Sequence, residues 1–349
     1  MTICLHGQAA SEETAQPIPT TTQQLGALPE RDLFKKNVIL STFIDVPTHS
    51  ILISTSAGRA NNKSVDQRVQ YNPTVGPNVG VRGTYDFWSA SFTKRLSLIS
   101  QQETQVYGRS DYEDWRAGYD ITENFSFEMY YQNYRGFYTD LSGQEGLQTS
   151  FDTEGSQTAA APRGEKKIIN RPDISSLNYG LRLTALFPLN SMFEGSSSQA
   201  GLDDVQFNLL SKIYYNRQSL KGDQPLVPES TSNSLSPIAS LTEYWSNSLG
   251  LGIGLGVIFK MSERVHMGFD AMLGPGFQRQ TNVFRDRESV HYTTSQEMNA
   301  NFYTNWKSEN HGFRAGLYMD ALNSKVEDIH IDTSSLGLGL TYSYYGLRL

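Results

Sequence analysis

Along much of this chain apolar and polar residues alternate one for one. The clearest case is Leu249-Gly-Leu-Gly-Ile-Gly-Leu-Gly-Val-Ile-Phe259, where odd positions are apolar and glycine fills almost every even one. A period of two marks a β-strand with one greasy face. The alternation recurs often enough to predict about twelve strands, most of them reaching the ~9–11 residues that a tilted transmembrane strand needs. Val79, Val81 and Tyr85 oppose Arg82, Thr84 and Asp86. Trp115, Ala117 and Tyr119 oppose Arg116 and Asp120, and Phe127 and Met129 oppose Glu128. Leu181 and Leu183 oppose Arg182, Phe207 and Ile213 oppose Lys212 and Tyr214, and Met267 and Phe269 oppose His266 and Asp270. Met298 and Phe302 oppose Glu297, while Phe313, Leu317 and Met319 oppose Arg314, Tyr318 and Asp320.

The connections alternate in length. Tight ones fall at 87/88, 122–124, 260–264 and 308–311, and long polar ones at 58–77, 99–110, 140–172, 220–243 and 324–334. Short periplasmic turns alternating with long external loops are the pattern of a bacterial transmembrane barrel. The connection 188–203 departs from it by being long where a short turn is due, and 281–288 is shorter than its external neighbours. The expected fold is all-β: a transmembrane antiparallel up-and-down barrel of about 12 strands. A soluble sandwich or propeller also alternates, with charges outside and shorter strands, and no blade-length repeat is present.

The ends are read separately. Residues 1–10 look like the tail of a truncated signal peptide, with Gly7 and Ala9 as small residues near a cleavage site. Residues 11–48 read as a periplasmic lead. Its first part is rich in Thr, Gln, Glu and Pro, and 31–48 fits either a short helix or an extra strand. The barrel is expected over 49–349. It closes on Tyr345, Leu347 and Leu349, two apart, and the parity change at Tyr344/Tyr345 suggests a bulge.

Composition narrows the chemistry. The 349 residues carry 29 basic and 36 acidic side chains, a net charge of -7, so there is no basic stripe for nucleic acid. No apolar run approaches the ~18 residues of a spanning helix. The single cysteine, Cys4, makes no internal disulfide. The histidines are scattered, without metal-ligand spacing, and no cofactor is expected. Gly250-Leu-Gly-Ile-Gly254 sits inside a strand and opens no helix, so it is no phosphate loop. His266 and Asp270 share a face. A structural hydrogen bond is the simpler reading of them, and a catalytic pair the sharper one.

Three pieces resemble one family of outer-membrane barrels, labelled DUF4421. They are Tyr71-Asn-Pro73 with Gly80-Val-Arg-Gly-Thr-Tyr85, then Tyr130-Tyr-Gln-Asn-Tyr-Arg-Gly-Phe-Tyr138, then Arg171-Pro-Asp173. Thr74 stands where asparagine is expected, and the loop 140–172 is longer than usual. The family has no established activity, so the resemblance implies an outer-membrane barrel and little more.

The polar face holds Arg82, Asp86, Arg116, Asp120, Glu128, Arg182, Lys212, His266, Asp270, Glu297, Arg314 and Asp320. Mixed signs fit a mutually neutralising lumen network, and a solute-selecting conduit is the rival. The expected role is a narrow or plugged conduit for a small solute or lipid in a Gram-negative outer membrane, without catalysis. The alternatives are a barrel whose external loops bind an envelope component or another cell, and a lipid-modifying enzyme. Expected partners are outer-membrane lipid, lipopolysaccharide and the barrel-assembly machinery. The bare glycine wall calls for something bulky against it: tyrosines such as Tyr130 and Tyr318, an inward-folded loop, the N-terminal segment or a bound ligand.

Overall fold

A computed structural model describes residues 37–55, 67–74, 76–96, 106–122, 124–140, 168–189, 205–227, 240–326 and 329–348. These form thirteen strands: β1 (Asn37–Thr55), β2 (Gln67–Asn72), β3 (Asn78–Tyr85), β4 (Trp88–Arg95), β5 (Asp111–Asp120), β6 (Phe125–Asp140), β7 (Ile168–Pro188), β8 (Val205–Lys221), β9 (Leu241–Lys260), β10 (Val265–Phe284), β11 (Glu288–Lys307), β12 (His311–Val326) and β13 (Ile329–Arg348). Every ladder is antiparallel, and β1 pairs with β13 to close the ring. Closure leaves no open sheet edge, which a sheet must achieve before it can cross a bilayer.

The ring is not uniform in height. β2 and β3 pair with the same edge of β1, β2 at Ile51–Thr55 and β3 at Val38–Asp45, so they are one strand interrupted at 73–77. The far edge of β2 pairs with β6, whereas the far edge of β3 pairs with β4. The β4–β5 hairpin is therefore inserted into a fork between β3 and β6. β1 and β3–β13 make twelve strands at the end carrying the short turns. At the opposite end, here the loop end, β4 and β5 drop out, β2 replaces β3, and ten strands remain. A polar knot holds the fork. Arg95 Nη1 donates to the Thr74 carbonyl at 2.7 Å, and the Ser110 hydroxyl donates to the Gly136 carbonyl at 2.7 Å. Gly136 has φ +78° at the β6 bulge, where a Cβ would run into the Arg109 carbonyl.

The faces follow the sequence pattern. Leu249, Leu251, Ile253 and Leu255 are exposed outward, while Gly250, Gly252 and Gly256 are buried inward. Boundaries differ more. The barrel starts at Asn37 rather than at 49, so part of the expected lead is wall, and the undecided segment resolves as strand from Asn37 onward. The expected loop 58–77 contains β2, and the expected loop 324–334 is mostly strand, with β12 ending at Val326 and β13 starting at Ile329. The loop expected at 281–288 shrinks to 285–287. These last three differences lie toward the loop end. There the outward face no longer needs to be apolar, and the lipid-facing alternation fades although the ladder continues. Residues 1–36, most of 140–172 and most of 188–203 lie outside the described residues.

Candidate functional site: a layered lumen

Inward-pointing positions build the lumen in layers. Across the middle runs a chain of alternating charge. Arg116 on β5 pairs with Asp114 at 2.8 Å and with Glu128 of β6 at 3.5 Å. Glu128 meets Arg182 of β7 at 3.7 Å, and Arg182 meets Glu297 of β11 at 3.8 Å. Glu297 takes Lys212 of β8 at 2.8 Å. Lys212 also donates to Asn299, whose amide donates to Asp320 at 2.7 Å. Tyr112 and Gln132 cap the far end by donating to Asp114 at 2.8 and 3.1 Å. Asp114, Glu128, Lys212 and Glu297 are all buried.

Glu297 reaches β7 and β8 because β9 and β10, which lie between, present glycine to the lumen. Gly250, Gly252, Gly254 and Gly256 on β9, with Gly274 and Gly276 on β10, leave that wall without side chains over which the network can pass. Several lumen-side glycines, Gly250 among them, receive a ring from the residue directly across the ladder. Tyr214 covers Gly250, Tyr303 covers Gly268, Tyr318 covers Gly337 and Phe43 covers Gly80, and a Cβ at any of these glycines would overlap the ring. Cross-strand packing of an aromatic onto glycine pins register. A flattened ring turns its face to the lumen, and cations settle on it. Arg314 lies 4.1 Å from the Tyr303 centroid, Arg182 4.5 Å from Tyr130, and Lys212 5.2 Å from Tyr214. The bulk against the β9 wall is thus Tyr214, with Lys212 and Met272, rather than Tyr130 or Tyr318.

The loop end is closed by an apolar plug. Ile51, Ile53, Tyr71, Phe137, Ile174, Leu220, Tyr244, Phe284 and Ile331 form one buried cluster that also takes in Leu226 and Val227. The last two belong to a strap, Gly222–Val227, which leaves the β8 ladder and folds inward. Arg171 latches it, donating to the Pro225 carbonyl at 2.9 Å and the Gln224 carbonyl at 3.2 Å. Asp173 braces Arg171 at 2.8 Å and accepts from the Asp223 amide at 3.1 Å. Tyr71 donates to the Leu226 carbonyl. Tyr71, Phe137, Arg171 and Asp173 come from the three sequence pieces singled out above, which converge here. They were legible only as a resemblance, because nothing in their spacing announces a latch.

Ten of the twelve expected lumen positions stand as follows. Arg116, Glu128, Arg182, Lys212, Glu297 and Asp320 form the network. Toward the turn end, Arg82 donates to Ser89 at 3.2 Å, Asp270 lies in the field of Arg314, and Asp120 sits at the last position of β5. Of the other two, Asp86 is not on the wall. It occupies the two-residue β3–β4 turn with φ +52°, as primed hairpin turns require at their first position. His266 faces inward near the turn end. His266 Nδ1 and Asp270 Oδ1 both lack a hydrogen-bond partner, and the charged neighbours of His266 are Lys260 and Lys307 while that of Asp270 is Arg314, so the expected His266–Asp270 pairing is not what the lumen shows. Among the described residues, no group of three or more His, Cys, Asp or Glu could hold a metal.

No protein-family model and no curated protein matches this chain. Among solved structures, the outer membrane protease OmpT from Escherichia coli aligns at 7% identity and TM-score 0.40, covering 93% of this chain and 99% of that one. The toluene transporter TodX from Pseudomonas putida aligns at 11% identity and TM-score 0.33, covering 95% of each chain. The translocator domain of the autotransporter NalP from Neisseria meningitidis aligns at 11% identity and TM-score 0.36, covering 85% and 87%. At TM-scores of 0.40 and below, these likenesses carry no argument about this chain.

Proposed function

We propose that this chain is a normally closed conduit in a Gram-negative outer membrane, with its turn end toward the periplasm, passing a small solute or lipid without catalysis. The observation that supports it is two closures in series on one lumen. The Asp114-to-Lys212 network crosses the middle, and the latched strap with its apolar plug seals the loop end. The strap joins no ladder; its Gly222 and Leu226 amides donate to the Thr242 and Leu241 carbonyls of β9, and it can leave by giving up these bonds without opening the barrel wall. Lumen charges of both signs suit small polar or zwitterionic cargo rather than one ion class.

Planar-bilayer recording tests the reading. Wild-type protein should give small conductance steps or none. Arg171→Ala frees the strap and Arg182→Ala opens the network, and the two together should give clear steps where each alone gives less. Porin-level conductance from the wild type would make it an open channel. A folded double variant as silent as the wild type would end the conduit reading.

A further inference from the structure

The apolar belt around the barrel is far shorter on one side. On β9 the outward apolar residues run from Leu249 to Phe259. At about 3.3 Å per residue and a tilt of about 40°, that is about 25 Å of height, a full hydrocarbon core. On β4 they run only from Trp88 to Phe92, and on β5 only from Trp115 to Tyr119, or about 10 Å. The next outward pair up that hairpin is Lys94 with Glu113, 3.9 Å apart and 62% and 44% exposed. Above it Leu96 is 41% exposed, but beside it stand Arg109 with Asp111, 3.3 Å apart and 65% and 57% exposed, with Arg135 across the ladder from Asp111.

The opposite wall gives the reference level. Counted in outward pairs from the nearest turn, Lys94 on β4 stands level with Ile253 and Leu273 in the β9–β10 hairpin. Those two are 63% and 47% exposed and entirely apolar. Where one side of the barrel offers isoleucine and leucine to lipid, the other offers an exposed ion pair. A charge on the lipid face near the midplane costs about 2–4 kcal/mol, and several such charges exceed what a bilayer tolerates without deforming. Lys94 can snorkel, but the short Glu113 and Asp111 cannot.

We infer that the β3–β6 face thins the bilayer beside it, drawing the loop-side headgroups down to the level of Lys94 and Glu113. The partner of this face is lipid. Just below the ion pair, the same face carries a hollow of about 580 Å³ floored by Gly83, Ala90 and Ala117 and walled by Leu40, Phe92 and Trp115. It gives room to acyl chains displaced from the shortened core. The fork between β3 and β6 explains why the belt is short here, because β4 and β5 end below the height that the other strands reach. The inference rests on the barrel fold and not on the conduit reading.

Trp115 is a native depth gauge. It sits about 10 Å above the Trp88 row, close to the midplane of a full core but at the upper edge of a thinned one. A single-tryptophan protein is made with Trp88→Phe, Trp245→Phe and Trp306→Phe and refolded into vesicles. One set carries lipid brominated near the headgroup and the other lipid brominated near the chain end. The reference probe is Leu255→Trp with all native tryptophans replaced, at the same level on the far wall. Trp115 should be quenched more by headgroup-side bromine, and the Leu255→Trp probe more by chain-end bromine. Adding Lys94→Leu with Glu113→Leu, which extends the belt upward, should shift Trp115 to the deep pattern. Identical depth patterns for the two probes would overturn the inference. So would a Trp115 that neither lipid quenches, which would mean that protein covers the face.

Discussion

Lys212 and Glu297 test whether the lumen is dry or wet. Their 2.8 Å ion pair is buried at both ends, with Lys212 4% and Glu297 8% exposed. Changing Glu297→Gln leaves a buried ammonium whose close acceptors, the new amide oxygen and that of Asn299, are both neutral. Breaking one side of a buried pair costs about 3–5 kcal/mol, because the stranded charge is not rehydrated. Lys212→Met should cost toward the lower end, since Arg182 still stands 3.8 Å from Glu297. The double variant leaves neither charge behind and should fall within about 1–2 kcal/mol of wild type, as replacement of whole buried pairs often does. The cycle should therefore show a coupling of about 3 kcal/mol or more, at the top of the range for neighbouring residues.

The assay is urea unfolding of the barrel in vesicles, followed by tryptophan fluorescence and by gel mobility without heating. Were the lumen a water-filled pore, the pair would behave like an exposed one, worth about 0–1 kcal/mol. Two small and additive single effects would refute the dry-network reasoning, and with it the inner closure of the proposed conduit.

Two further outcomes test the wall. Ile253→Arg, in mid-belt on β9, should cost about 2–4 kcal/mol in lipid, while Glu309→Arg in the exposed β11–β12 turn should cost little; equal costs would sink the lipid-facing assignment. Gly250→Ala should cost about 1–3 kcal/mol because its methyl group lands on the Tyr214 ring. Gly252→Ala, where the nearest atom is the flexible Lys212 Cε at 3.4 Å, should be tolerated, and a reversed order in urea unfolding would refute the ring-on-glycine packing.

How much of this was legible in the sequence depends on the range of the physics involved. Lipid contact is a local demand, since each outward position in the belt must be apolar whatever its neighbours are. Leu249–Phe259 therefore announces its strand, its faces and its lumen-side glycines in one line. Above the belt that demand lapses. Ile329-His-Ile-Asp-Thr333 looks like loop until it is seen that Ile329 and Ile331 point inward to the plug. β1 was missed at its start for a related reason, because Pro47 and the inward Asp45 break the apolar run although the ladder to β13 passes straight through them.

The candidate site was legible as a set and not as a map. Mixed charges on the inward parity foretold a neutralising network, but the partners of each charge depend on which strands leave space. Glu297 reaches Lys212 only because the two intervening strands present glycine, a fact about β9 and β10 that no reading of β8 or β11 contains. The same separation hides the latch. Tyr71, Arg171 and Leu226 lie on three distant stretches. The β7–β8 ladder brings Arg171 to the carbonyl of Pro225, but only the pairing of β2 with β6 brings Tyr71 within reach of Arg171 and Leu226. Closure sets the height of each side chain above the turns. Lys94 and Glu113 look like ordinary strand-end charges in sequence, and become costly only when set level with Ile253 on the far wall.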